Sequence, residues 1–497
     1  MGRGVGGVVA LVVALACAGV SGLGGAAEAA PGPARIEWRA CGDDGRAECA
    51  TLRLPVDWTR PDGATFGLAI ARRKALDPDA RAGTLVFGPG GPGDSGVQRV
   101  TKLEGGIDRF SDELRRRFDI VSFDPRGVGA SNPVTCDATL LGARPSPVIN
   151  SAEEFEKTRD YNKVLRNNCR GLTGPVYDHA DSVSTARDVD AIRAALGESK
   201  LTFHGSSYGT LLGEMYAELF PGRIRAMVLE SVDDHSVPDA RRFLKSELTA
   251  AQDSFDQFVR WCGAARECAL HGKDVRAIWR DLRARAGRGE LPDPADPTKP
   301  LPEFGLVLMA YKAFYGPDWA ELAARLAALN AGSAVARPAP PKAGARRGVV
   351  GGAQGTGTDG FTAQFCSDWS LPIRDYGQYK RLMRQTERYA PDMTFARPVM
   401  ALSACLGWPR PVRNPQHRLD VRGSAPILLA NARHDPATPH NWARTVARQL
   451  GPRTATLLTY EGSGHGSYNR GPCMRNTIDR YLISLRLPPR GATCPAV

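Results

Sequence analysis

The chain reads as an α/β protein: a mostly parallel central sheet with helices on both faces and an inserted, mainly helical segment. Three observations predict this. Short apolar runs alternate with helix-like runs from Thr84 to Ser231, and the rhythm resumes at Pro426. Between about Asp234 and Asp420 it stops, and amphipathic helical stretches take over. At Gly205-Ser206-Ser207-Tyr208-Gly209 a strand-like run turns sharply into a helix-like one. Strands that alternate with helices form parallel sheets covered on both faces.

The first 29 residues stand apart. Arg3 precedes an apolar run, Val5 through Val20, and then Ala26-Ala27-Glu28-Ala29-Ala30. This is the layout of a secretory signal with an Ala-x-Ala site, cut after Ala29. Ala14-Leu15-Ala16 is a poor lipidation box before Cys17, so an exported chain without a lipid anchor is expected. No later run is long and apolar enough to span a bilayer. The roughly 470 residues that remain exceed a usual single domain. A core over 30–233 and 421–497 with a helical cap inserted at 234–420 is therefore expected.

The segments Ile36–Cys41, Cys49–Trp58 and Thr65–Lys74 alternate as antiparallel strands do. Buried strands follow at Thr84–Phe87 and Phe118–Phe123. Thr185–Leu196 is a helix with a Thr185-x-x-Asp188 start and a Gly197 stop. Strand Lys200–His204 leads into the serine turn, followed by helix Thr210–Leu219 and strand Ile224–Ser231. In the insertion, helices are expected at Arg241–Cys262, Val275–Ala286, Phe304–Tyr315, Trp319–Asn330 and Tyr376–Tyr389. Residues 331–359, rich in Gly, Ala and Pro, read as a flexible loop. Strand Pro426–Ala430, helix His440–Leu450 and strand Thr454–Tyr460 complete the core.

The formal net charge is +12, carried by scattered arginines. A basic balance can mark a nucleic-acid binder, but no basic stripe is interleaved with aromatics, so no nucleic-acid partner is expected. Of the 11 cysteines, all but Cys17 fall in sequence pairs: Cys41/Cys49, Cys136/Cys169, Cys262/Cys268, Cys366/Cys405 and Cys473/Cys494. Sequence alone leaves their connectivity open, and five local bridges are the simplest reading for an exported chain. None has Cys-x-x-Cys spacing, which argues against a redox or zinc site; neither metal nor cofactor is expected. No feature specifies an oligomer.

The chemistry centres on Ser207. A serine in a sharp strand-to-helix turn projects its hydroxyl above the sheet edge, and the following helix offers backbone N–H groups to developing negative charge. A serine hydroxyl is a poor nucleophile until a base, itself oriented by a third group, removes its proton. Asp435 lies just past strand Pro426–Ala430 and His465 just past strand Thr454–Tyr460, in Gly464-His465-Gly466. Both sit at the C-terminal ends of expected parallel strands, where open α/β sheets place their sites. His434 and His204 adjoin motif residues and are poorer bases by position.

Acyl transfer also needs two donors aimed at the oxyanion. One is the N–H of Tyr208; the other comes from Gly88-Pro89-Gly90-Gly91-Pro92-Gly93, with Gly91 first and Gly90 second. That stretch also matches the dinucleotide pattern Gly-x-Gly-x-x-Gly. Its two prolines lack the amide donors a pyrophosphate uses, and no suitable acid follows about twenty residues on.

Taken together, the chain resembles the α/β-hydrolase fold family, and within it the secreted tripeptidyl-aminopeptidase-like serine hydrolases of actinomycetes, relatives of prolyl aminopeptidases. The resemblance is carried by Gly88–Gly93 with Ser95-Gly96, by Asp124-Pro125-Arg126-Gly127-Val128-Gly129-Ala130-Ser131, and by the elbow Gly205–Gly209. Asp435, Gly464-His465-Gly466, Cys366-Ser367-Asp368-Trp369 and Cys405-Leu406-Gly407-Trp408-Pro409 extend it to the cap. Gly88 stands where Asn or His is usual, and Asp94 where Gly is usual. The resemblance implies release of short peptides from free N-termini. A buried substrate ammonium must then meet a carboxylate: Asp368 by analogy, with Glu230, Asp233 and Asp234 as alternatives. An esterase of the same fold, or a catalytically idle binding protein, are the other readings.

Overall fold

Ten strands form the central sheet: β1 (Arg39–Cys41), β2 (Ala47–Pro55), β3 (Thr65–Arg73), β4 (Gly83–Gly88), β5 (Phe118–Phe123), β6 (Leu201–Ser206), β7 (Ile224–Glu230), β8 (Ile427–His434), β9 (Ala455–Ser463) and β10 (Thr493–Cys494). Their order across the sheet is β1-β2-β3-β5-β4-β6-β7-β8-β9-β10. The pairs β1/β2, β2/β3 and β3/β5 are antiparallel. From β5 to β10 every neighbouring pair is parallel. The computed structural model describes residues 36–294, 296–332 and 355–497, with residues 1, 2 and 4. Nearly all of the expected signal segment, Cys17 included, and most of the expected 331–359 loop lie outside the described residues.

Alternation along the central strands explains why both faces are covered. Met227, Leu229, Ile427 and Leu429 enter one apolar cluster, while Ala226, Val228, Leu428 and Ala430 enter a second on the opposite face. The first cluster runs on without a break into Phe243, Leu244, Trp279 and Leu306 from the helices between β7 and β8. Sheet and inserted helices therefore share one core.

Those inserted helices are Ala240–Ala264, Val275–Gly287, Glu303–Ala313, Trp319–Asn330, Gly360–Asp368, Tyr376–Tyr389 and Arg397–Ala404. Three differences from the sequence reading are informative. The helix placed at Thr185–Leu196 begins three residues earlier, at Ser182, because Asp181 caps it by accepting from the Ser184 N–H at 2.8 Å. A long helix, Ala152–Thr173, escapes the apolar-periodicity reading, since Phe155, Thr158, Leu165 and Cys169 are its only buried positions. It braces the insertion: Asn162 Nδ2 donates to the carbonyls of Ser403 (2.8 Å) and Leu406 (3.1 Å). Finally, Thr356–Thr358, inside the expected flexible loop, is a strand paired antiparallel with Thr135–Asp137.

All five sequential cysteine pairs are bridged, with Cα–Cα distances of 4.3–5.9 Å. The Asp124–Ser131 motif anchors the glycine loop. Asp124 accepts from Ser95 Oγ (2.5 Å) and from the N–H groups of Val97 (3.0 Å) and Ala130 (2.9 Å). Two residues on, the fully buried Arg126 forms a two-point ion pair with Asp188 at 2.6 and 2.7 Å.

Candidate active site

Ser207 is the hinge between β6 and the helix Tyr208–Leu219, with φ 55° and ψ −127°. A non-glycine residue is strained there and persists only where its surroundings over-determine it. Here they do. The Ser207 N–H donates to the Glu230 carbonyl on β7 at 2.8 Å, and the Ser207 carbonyl accepts from the Thr210 N–H and hydroxyl, each at 2.7 Å. Close packing explains the flanking glycine: a methyl on Gly209 would stand 2.2 Å from the Gly88 carbonyl oxygen. The half-buried Ser207 hydroxyl forms no hydrogen bond among the described residues.

Tyr208 opens the elbow helix, so its N–H has no acceptor within it. Opposite lies the glycine loop. A methyl on Gly90 would stand 3.1 Å from Ser207 Cβ and 3.6 Å from Oγ. The bare Gly90 lets the peptide carrying the Gly91 N–H approach the serine. Gln364, from the inserted helix Gly360–Asp368, holds this loop by accepting from the Gly93 N–H at 2.8 Å and donating to the Arg126 carbonyl at 3.3 Å.

Just past their C-terminal ends, β8 and β9 deliver Asp435 and His465. His465 Nδ1 lies 2.9 and 3.1 Å from the two Asp435 carboxylate oxygens. Asp435 also accepts from the N–H groups of Ala437 (2.9 Å) and Thr438 (3.0 Å), the Thr438 hydroxyl (3.0 Å) and the Ser231 hydroxyl (2.9 Å). Burial alone would push this carboxyl up. The charge and hydrogen bond of His465, with the two backbone donors, outweigh it and hold the pKa below the usual range. Burial likewise opposes charging of His465, but Asp435, backed by Asp233 and Glu230, lifts its pKa above the ordinary histidine value. Ser231, which sequence reasoning passed over, links the two strand ends: its hydroxyl also accepts from the Gly466 N–H at 2.9 Å. Tyr315 of the insertion roofs the imidazole, with ring centroids 4.7 Å apart.

Comparison with known proteins agrees with this geometry. Residues 83–328 match the alpha/beta hydrolase fold family and residues 392–494 the TAP-like protein family. The serine protease Hip1 of Mycobacterium tuberculosis is 32% identical over 92% of this chain and 91% of its own. The tripeptidyl aminopeptidase of Streptomyces lividans is 30% identical over 95% of this chain and 89% of its own. The chain belongs to the TAP-like α/β-hydrolases. It is therefore a serine hydrolase. Carboxylesterase B of Mycobacterium tuberculosis is 28% identical over 90% of this chain and 86% of its own, so the hydrolase has relatives named for both peptide and ester substrates.

Of the acids expected to meet a substrate amine, Asp368 is engaged within the fold. It is 0% exposed, and its carboxylate accepts from the Ser182 N–H (2.9 Å) and hydroxyl (2.7 Å), the Tyr208 hydroxyl (2.7 Å) and Asn414 Nδ2 (3.0 Å). No acceptor position is left for a ligand; the residue instead fixes the Tyr208 ring. Glu230 is committed to His204 Nε2 (3.2 Å) and the Tyr468 N–H, and Asp234 to Ser236 and Gln449. Asp233 differs. Its N–H is anchored to Thr210 Oγ1 at 2.9 Å, but its carboxylate forms no ion pair among the described residues. Burial pushes that carboxyl up to about 7, against the pull of His465 and Arg397. Glu247, on the inserted helix Ala240–Ala264, is raised by burial in the same way; Arg397 pulls against it, and Asp233 and Asp435 add to it. Arg397 also comes from the insertion and donates to the Gly91 carbonyl at 3.2 Å. No short motif marks Glu247 or Arg397, since only folding brings these remote residues to the glycine loop and to Asp233. Among the described residues no group of side chains is arranged to hold a metal ion, and no helix is long and apolar enough to cross a membrane.

Proposed function

We propose that the hydrolase is an exported aminopeptidase that releases short peptides, tripeptides foremost, from free N-termini through an acyl-enzyme on Ser207. The observation that carries this reading is the Asp435–His465 contact at 2.9 Å, set beside a serine held at φ 55°. With Nδ1 committed to Asp435, His465 presents Nε2 as the base. That nitrogen takes the Ser207 proton as Oγ attacks the scissile carbonyl, then returns it to the leaving amine. The N–H groups of Tyr208 and Gly91 receive the oxyanion. Water, activated by the same histidine, releases the acyl group. Five bridged cysteine pairs suit an oxidising, extracellular destination.

Asp233 and Glu247 are the acids suited to the substrate ammonium, because neither forms an ion pair among the described residues and a buried cation requires a counter-charge. A cation seated there would draw both carboxyls to their charged forms. Rates on tripeptidyl chromogenic substrates with free or acetylated N-termini, set beside short esters, test this. Acetylation is expected to lower kcat/KM by about 10- to 100-fold, the worth of a charged hydrogen bond, and Asp233→Asn to erase much of that preference. Equal rates with the amine blocked, and faster turnover of simple esters, would instead favour the carboxylesterase reading that the 28% identical relative suggests.

A further inference from the structure

Arg470 lies five residues past His465 and forms no ion pair among the described residues. Among the described residues its guanidinium donates only to carbonyls. Nε reaches Gly466 O at 3.0 Å, and one terminal nitrogen reaches His465 O at 3.3 Å. The same nitrogen also donates to the Tyr315 carbonyl, and the other terminal nitrogen to the Gly316 carbonyl. Two acceptors thus belong to the histidine loop and two to the turn after the inserted helix Glu303–Ala313. The joint is closed from both sides: the His465 N–H donates to Tyr315 O at 3.2 Å, and the Tyr315 ring packs on the imidazole. It is also tight, since a methyl on Gly464 would stand 2.7 Å from the guanidinium.

We infer that Arg470 is a positioning residue, a clasp that couples the seating of the Tyr315–Gly316 turn to the alignment of the His465 imidazole with Ser207. The inference rests on the reading of His465 as the base. A planar five-donor fork can hold carbonyls on both sides of the joint at once, whereas a lysine ammonium, a point charge on a flexible stem, cannot keep that span. If the clasp slackens, the Tyr315 carbonyl and ring lose their register with His465, and the base drifts from the serine. A misplacement of about 1 Å can lower a rate by about 100-fold.

The test uses the full chain with Arg470→Lys and Arg470→Ala, and His465→Ala as reference. Arg470→Lys, folded by circular dichroism, is expected to lose about 10- to 100-fold in kcat with KM little changed. Burial under Tyr315 opposes protonation of His465, so unseating the turn should also move the acid limb of the kcat/KM profile to higher pH. Added guanidinium should restore part of the kcat of Arg470→Ala and none of that of His465→Ala. An unchanged kcat and acid limb in Arg470→Lys would overturn the inference. So would a kcat loss that only tracks the fraction of unfolded protein, with the limb unmoved and no rescue. Full activity in His465→Ala is a separate result: it would remove the histidine reading itself.

Discussion

Asp435 and Asp368 have similar surroundings and behave differently. Both are buried carboxylates ringed by donors from their own chain. Around Asp435 one of those donors, His465, can carry a charge, and the carboxyl is held below its usual range. Around Asp368 every donor is neutral; burial, with Asp181 nearby, lifts the carboxyl to about 7. Hydrogen bonding alone therefore does not prepare a buried acid for catalysis. The counter-charge does, and it also marks which acid orients a base and which holds a tyrosine.

The comparison breaks most sharply at Asp435→Asn. The amide cannot both accept from the Ala437 and Thr438 N–H groups and offer His465 Nδ1 an anionic acceptor, so the wrong tautomer is favoured. A loss of about 10⁴-fold in kcat is expected in steady-state assays, with the fold retained by circular dichroism. Next in size is removal of the Cys366–Cys405 bridge, which starts two residues before Asp368. Cys366→Ser with Cys405→Ser is expected to lower stability by about 2–4 kcal/mol in denaturant titrations, with kcat far less affected than by Asp435→Asn.

Asp368→Asn should be mild, because one side of the amide can accept from Ser182 N–H and Asn414 while its NH2 donates to the rotatable Ser182 and Tyr208 hydroxyls. The kcat is expected to stay within about tenfold of wild type. The sign of its pH effect is informative. A carboxyl with a folded pKa near 7 binds more protons folded than unfolded, so its contribution to stability falls as pH rises from about 4 to about 7. Melting temperatures of Asp368→Asn should therefore gain on wild type towards pH 7. Asp435 acts oppositely: its lowered carboxyl supplies stability above the ordinary carboxyl pKa, lost as pH falls below it. The smallest expected effect is on the wild-type kcat/KM profile. Because His465 must be neutral to act as base and its pKa is raised, the acid limb should lie above about 6.5.

The strand ends, the elbow and the order Ser207, Asp435, His465 were legible because each rests on a local pattern: apolar runs, small residues at a turn, acid and histidine after strands. Ser231 and Thr438 were passed over, although each lies beside a residue that the pattern marks. Thr438 lies three residues past Asp435 in an Asp-x-x-Thr turn, and Ser231 directly follows β7. The surroundings of Asp368 were not legible, because analogy supplies an acid but not its partners: Ser182 and Asn414 reach it from 186 and 46 residues away. Glu247, Arg397 and the Arg470 clasp had no local signal at all. Their partners are carbonyls and charges brought together only when the insertion seats on the sheet.

The central claim is that the Asp435–His465 pair serves Ser207. Reaction of the intact protein with a fluorophosphonate, followed by peptide mapping, tests it most directly. The adduct is expected on Ser207 alone, absent in folded Ser207→Ala and strongly slowed in Asp435→Asn. An adduct on another residue, undiminished labelling of Ser207→Ala, or wild-type labelling rates in Asp435→Asn would contradict it.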